Sequence, residues 1–347
     1  EGLKGIPRGT VKSLRLHAYE YAYVKTRSDH NWHGIQSGWD IKRMLGTVPV
    51  EEDGSVIFKA PANTPISIQP LDKDGVAIQW MRSWVTGQPG EVVSCIGCHE
   101  DQNQIAIPKR VIASQKAPSA LTLPEGGTRS FTFDLEVQPI LDRACIACHN
   151  GEGKAFDLRG GKKDKLGYGT SYLNLHPYVH RQGGEGDMVV LQPYEYHPNT
   201  SELVRLLKKG HHNVKLTDKE WKTLYNWIDY NAPDKGYFNA NVLTDLPYKG
   251  FDQIKRRKEL TDKYANGAGV DWKKEIADYA DYLKKQGPIT PVMPEKAAPV
   301  KEKTLKVKGW PFGADRIKEM LAKEKETRKL VEIAPGGKVN FVRSPAG

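Results

Sequence analysis

The chain has 347 residues, 38% hydrophobic and 27% charged, which suits two or three domains and excludes a disordered or membrane-embedded chain. No apolar run approaches the ~20 residues that a bilayer-spanning helix needs, and Glu1-Gly2-Leu3-Lys4-Gly5 holds no apolar signal core, so an export signal is expected to be removed or to lie outside this sequence. Lys and Arg exceed Asp and Glu by 52 − 42 = 10, but residues 295–330 hold 11 basic and 6 acidic residues, half of that excess; without interleaved aromatics it does not read as a nucleic-acid surface.

Residues 1–112 read as β-rich. Val11 to Val24 is a candidate strand region in which Tyr19, Tyr21 and Tyr23 alternate onto one face. The turn pairs Asp53-Gly54 and Asp74-Gly75 separate short β-prone runs at Val48–Val50, Val56–Phe58, Ile66–Ile68 and Val76–Trp80. Such spacing predicts a small antiparallel, sandwich-like domain, with Cys95 just after it. Residues 113–127 read as a linker.

From Phe131 the texture turns helical, and residues 128–235 read as one helical domain. Val137 to Ala144 leads into Cys145. Asn199-Thr-Ser-Glu202 and Thr217-Asp-Lys-Glu220 have the pattern of capping boxes. The first would open a helix with Leu203, Val204, Leu206 and Leu207 on its apolar face, ended by Gly210. The second would open a helix whose Trp221, Leu224, Tyr225, Trp227 and Ile228 share one side. Residues 236–286 read as a helical extension broken at Asn266-Gly267-Ala268-Gly269. In 287–347, a Pro- and Lys-rich tether is followed by a charged helix at Ala314–Leu330. The class expected is α+β, multidomain.

All four cysteines fall in two copies of one pattern, Cys95-Ile-Gly-Cys98-His99 and Cys145-Ile-Ala-Cys148-His149. This CxxCH spacing is that of c-type haem attachment. Two thiols one short turn apart can each form a thioether with a porphyrin vinyl group, and the next residue then brings an imidazole to the iron. A redox dithiol needs no following histidine, a four-thiolate zinc site needs none after each pair, and two structural disulfides would not repeat the spacing. Two covalently bound c-type haems are therefore expected, with His99 and His149 as iron ligands, in a periplasmic or otherwise extracytoplasmic compartment.

The second axial ligand separates electron transfer from catalysis: a closed iron carries electrons, an open one binds substrate. For the second haem the candidates are His176, His180, His197, His211, His212 and Met188. His211 and His212 are favoured, because they lie between a helix end and the terminal helix. For the first haem no partner stands out. His17, His30 and His33 lie upstream and read as surface residues rather than ligands.

Gly46-Thr-Val-Pro-Val-Glu-Glu-Asp-Gly-Ser55, Met81-Arg-Ser-Trp84 and Ser94-Cys-Ile-Gly-Cys-His-Glu100 resemble the middle, haem-bearing domain of the hydrazine synthase alpha subunit family. Val137-Gln-Pro-Ile-Leu-Asp142, Phe156-Asp-Leu-Arg159, Gly210-His-His-Asn-Val-Lys-Leu216 and Trp227-Ile-Asp-Tyr-Asn231 resemble the cytochrome c domain that follows it. The likeness spans about residues 5–235, and its relatives often carry a β-propeller before this point. The closing Val339-Asn-Phe-Val-Arg-Ser-Pro-Ala-Gly347 resembles the opening of a formylglycine-generating-enzyme-like domain, so other domains of a longer chain are expected. The resemblance implies a bis-histidine haem at His149, with His211 or His212 opposite. It also implies, at the first haem, a tyrosine on the catalytic iron four residues beyond a zinc-bound His99. This chain has Asn103 there, a poor replacement for a phenolate, so His99 is expected on its own haem.

The leading expectation is a dihaem c-type cytochrome that passes electrons between redox partner proteins. The alternative is a haem enzyme whose first iron is an open site and whose second relays electrons. A binding module presenting its β-domain to a polymer or protein is the third, and exposed tryptophans lined up along that domain would mark it.

Overall fold

The computed structural model describes residues 2–20, 34–35, 41–98, 110–153, 155–165, 167–182, 191–236, 259–260, 262–264, 270–294 and 322. Residues 1–296 form one compact unit and 297–347 a second; of the second only Ala322 is described, so the fold below is that of the first. The expected charged helix at 314–330 thus lies outside the described residues, apart from Ala322.

The sheet has four antiparallel strands in the order β3-β1-β2-β4, with β1 Ser13–Glu20, β2 Ile41–Pro49, β3 Ile66–Leu71 and β4 Arg129–Ser130. Strand alternation gives β1 two unlike faces. Leu14, Leu16 and Ala18 join Leu45, Val48, Ile66 and Ile68 in an apolar cluster, against which Val56, Phe58 and Leu121 pack. Arg15, His17 and Tyr19 take the other face. The register slips between Leu16 and His17, where Leu16 pairs with Gly46 but His17 with Met44. This bulge lets Leu45 stay in the sheet's own core while Met44 points into the helical one.

Among the described residues this is one sheet, not the expected sandwich. Val48–Val50 and Ile66–Ile68 contribute to β2 and β3, but the other two β-prone runs form only isolated bridges, Phe58 to Ser119 and Ala77 to Leu71. At 72–76 the backbone N–H groups of Asp74 and Val76 both donate to the Asp72 carboxylate, and this tight turn ends regular pairing. The expected linker at 113–127 is laid against the sheet. Thr122 pairs with Thr47, and a Cβ on Gly46 (φ 144°) would meet the Thr122 carbonyl oxygen at 2.5 Å, so only glycine admits this strand.

The helices are α1 Phe133–Glu136, α2 Gln138–Ala144, α3 Thr170–Leu175, α4 Glu202–Lys208, α5 Asp218–Asp229 and α6 Trp272–Lys285. On α5, Leu224, Trp227 and Ile228 are buried against Phe133, Val137, Ile140 and Leu141, with Trp221 and Tyr225 at the margin. The first and last helices of this part therefore share a core, as the aromatic stripe predicts. Trp227 meets Phe133 ring to ring at 5.3 Å and donates its indole N–H to Pro233 O at 2.9 Å, so its burial leaves no polar group unpaired. The Thr217 capping box is present in both directions. The one expected at Asn199 is not: Pro198–Thr200 is a 3-10 turn, and Ser201 precedes α4 without a side-chain cap. The proline at 198 starts the short turn before the box can close.

The sheet's polar face is covered by the end of α5. Arg15 Nη1 pairs with Asp229 Oδ2 at 2.9 Å, Arg15 Nη2 donates to Asn226 Oδ1 at 2.6 Å, and Gln69 Nε2 donates to Asp229 O at 2.7 Å. Helix α6 crosses behind β4, where Arg43 pairs with Glu275 and the Tyr279 hydroxyl donates to Glu136 at 2.8 Å. Glu136 in turn pairs with Arg129, whose guanidinium lies over the Tyr279 ring at 3.5 Å.

Candidate haem-attachment sites

Helix α2 delivers the second CxxCH. Cys145 N donates to Leu141 O, and the amides of Cys148 and His149 both turn back to Cys145 O at 3.1 and 2.9 Å. This turn brings the two thiols and the imidazole to one side of the chain. Both thiols are free, Cys145 half-buried and Cys148 exposed. Burial pushes the Cys145 thiol up to about 12, which makes it a poor free nucleophile or redox thiolate.

The His149 ring is held twice. Its Nδ1 lies 3.0 Å from Phe156 O, and its face lies 4.8 Å from the Phe156 ring, which itself stacks on Tyr178. A backbone carbonyl can only accept, so Nδ1 carries the proton and Nε2 presents its lone pair. That tautomer, fixed by a carbonyl behind the ring, is the usual arrangement of a metal-binding histidine.

His211 faces it. The two ring centres are 6.1 Å apart with planes inclined by 38°. Gly210 ends α4 in the left-handed region (φ 88°), and His212 and Asn213 follow at φ 45° and 60°. These reversals lift His211 toward His149 and leave His212 exposed, stacked on His211 at 4.5 Å. Burial first, then the neighbouring His212 and His149, lower the His211 pKa, which favours the neutral imidazole that binds metals. A metal–nitrogen distance of about 2 Å on each side, plus about 1 Å from each nitrogen to its ring centre, requires roughly 6 Å between the rings. Thiol pair, tautomer and ring separation all fit a haem.

The other candidate ligands of this haem are committed elsewhere. His176 Nε2 takes a hydrogen bond from Arg181 Nη2 at 2.8 Å, His180 Nδ1 lies 2.8 Å from the Thr200 hydroxyl, and His197 Nδ1 accepts from Asn199 N. Met188 lies outside the described residues.

At the first CxxCH, Cys95 is exposed and Cys98 is half-buried; both thiols are free, and burial raises that of Cys98. The Cys98 carbonyl accepts from Gly2 N at 2.9 Å, which ties the motif to the start of the described chain. Val92, Val93, Ile96 and Trp84 are exposed around it, an apolar surface that suits a porphyrin face. His99, Asn103, His30 and His33 lie outside the described residues. His17 is described, and it is not the surface residue expected. It is fully buried between Tyr19 and Tyr230, each 5.5 Å away, with neither ring nitrogen hydrogen-bonded. The bulge beside it turns the ring inward beneath α5. Burial, with Lys42 and Arg15 nearby, holds its pKa well below the usual histidine value.

Among the described residues, no three His, Cys, Asp or Glu side chains are grouped to hold a metal ion, so the four cysteines do not converge on one tetrathiolate site. No described helix is long and apolar enough to cross a membrane. Sequence reasoning missed the Phe156 carbonyl, which as a backbone group leaves no mark on residue type, and Arg181, which stands in no recognisable motif.

Residues 9–100 match the family described as hydrazine synthase alpha subunit middle domain. No curated protein matches the chain. A solved structure described as Kuenenia stuttgartiensis hydrazine synthase is 18% identical with a TM-score of 0.43, covering 67% of this chain. This chain spans 40% of the length of that one. Through residues 9–100, a segment that carries the first pair of cysteines, the chain belongs with the hydrazine synthase alpha-like proteins.

Proposed function

We propose that the protein is an extracytoplasmic dihaem c-type cytochrome that passes electrons between partner proteins. The observation that carries this reading is the opposed pair His149 and His211, 6.1 Å apart, placed directly after Cys145 and Cys148. Cys145 and Cys148 would hold the group through thioethers, and His149 and His211 would take its two axial positions. Bound there, it would supply a reversible one-electron couple. The chain's own contribution is to keep both positions filled by neutral imidazoles. Phe156 O fixes the His149 tautomer, and the left-handed backbone at 210–213 fixes His211. A filled iron leaves no place for substrate, so this site is suited to electron transfer rather than catalysis. Cys95, Cys98 and His99 would bind the first haem by the same chemistry.

The test is the absorption spectrum of the mature, reduced protein with and without carbon monoxide. Two low-spin haems that ignore carbon monoxide are expected. A carbon monoxide complex at the helical-domain haem would overturn its assignment to electron transfer.

The family match over residues 9–100 favours a second reading, in which the first haem is a catalytic site for a small redox substrate and the second relays electrons to it. In the same experiment a carbon monoxide complex confined to the first haem would select it, and a closed first iron would exclude it.

A further inference from the structure

Arg181 and His176 form a pair that neither the core nor the haem site requires. Because His176 Nε2 accepts from Arg181 Nη2, the ring proton sits on Nδ1. Arg181 Nη1 and His176 Nδ1 are both shut off from water, and neither has a hydrogen-bond partner. Two donors of adjoining groups are therefore buried with nothing to receive them. The charge-bearing groups that act on the guanidinium are the phenols of Tyr172 and Tyr168, and no carboxylate among the described residues bonds it.

The phenols do not supply a counter-charge. Burial raises both Tyr172 and Tyr168, Tyr168 to about 12, so both stay neutral. The Tyr172 hydroxyl is also fully used, donating to Ala232 O at 2.9 Å and accepting from Ile35 N at 3.0 Å. Its ring stacks on His176 at 5.6 Å and fixes the imidazole plane. Burial and the guanidinium hold His176 down to about 4, against a small opposing pull from the Leu173 carbonyl. A guanidinium taken out of water without an anion is costly. Its planar fork is also the group best matched to carboxylate and phosphate oxygens.

We propose that Arg181 and His176 form an oxyanion-binding site for a carboxylate- or phosphate-class group. Two sources present that chemistry: a propionate of the porphyrin carried by Cys145 and Cys148, or a free small oxyanion. The first source rests on the haem proposed above, and the second does not.

The mature holoprotein and its Arg181→Gln variant would be compared in two ways: calorimetric titration with inorganic phosphate, and spectroelectrochemical titration of the helical-domain haem in phosphate-free buffer. If the ligand is the porphyrin's own carboxylate, the variant loses a cation beside a fixed negative charge. Its midpoint potential then falls, with the reduction equilibrium shifted by roughly threefold or more, and phosphate binds neither protein. If the ligand is free, phosphate binds the wild type saturably. The variant then binds it roughly tenfold or more weakly, the weight of one hydrogen bond to a charged group, and the potential is unchanged. A preparation lacking the second haem would sink the haem reading, yet phosphate binding would still decide this one. Should Arg181→Gln fail to fold, Arg181→Lys gives the same comparison, because it keeps the charge and loses the fork. Absence of both effects would overturn the site and leave the guanidinium neutralised from within the chain.

Discussion

His211 and His212 are chemically equivalent neighbours, and the backbone alone separates their roles. A left-handed residue at 212 turns its side chain outward, while His211 stays opposite His149. His211→Ala should therefore convert the helical-domain haem to a high-spin, carbon monoxide-binding form, whereas His212→Ala should leave it low-spin; absorption spectra of the two variants decide this. Asp234 offers a second check at this scale. Burial, helped by Asp134, raises its carboxyl from 3.8 to about 7. The folded state thus holds a proton that the unfolded state has released, and the contribution of this group is present below about pH 4 and lost as pH rises through 7. Asp234→Asn should gain on the wild type by a few kcal/mol between pH 4 and 8, since three pKa units at about 1.4 kcal/mol each set the scale. Denaturant unfolding at the two pH values measures it, and a pH-independent difference would contradict the assignment.

Legibility in the sequence follows the range of the interaction. The two CxxCH motifs were readable because thioether attachment needs residues only a turn apart. The choice between His211 and His212 was not, because it depends on dihedral angles that a histidine rarely adopts. His17 was misread for a related reason: its inward direction comes from a bulge on the partner strand, which has no local signature in β1.

Among the elements, α5 does most to assemble the helical part. Its capping box joins Thr217 to Glu220, and Glu220 also pairs with Arg143, two residues before Cys145. Thr217→Ala should cost about 1 kcal/mol of stability, seen as a lower unfolding midpoint with the haem spectrum unchanged. The apolar stripe of α5 was legible because helical periodicity records which face is buried. The β-rich segment was legible only in part. Val56–Phe58 and Val76–Trp80 have strand composition, yet the Asp72 turn and the close return of residues 119–122 to the sheet leave them with single bridges. Their side chains fill the core without extending the ladder.

Across residues 1–296 the sheet and the helical part are fastened by a buried polar contact, not by a shared apolar one. Arg15, Asn226, Asp229 and Gln69 bond across it, and Asp229 is fully buried, with burial raising its pKa against the pull of Arg15. Removing the cation in Arg15→Met leaves that carboxyl alone in the interface. The expected cost is about 3–5 kcal/mol where Asp229 is forced to ionise. A carboxyl left alone keeps its proton longer in the folded state, so the loss should be smaller at pH 5 than at pH 8. An equal loss at both values would mean that Asp229 does not govern the contact. None of these partners could be matched from sequence, since Arg15 and Asp229 are 214 positions apart.

The central claim is that sulfur fixes a porphyrin at both cysteine pairs. Intact mass of the exported, mature protein under denaturing conditions tests it most directly, because thioether bonds survive unfolding and axial ligation does not. The account predicts the polypeptide plus two haem groups. A mass equal to the bare chain, or to the chain with two disulfides, would contradict it.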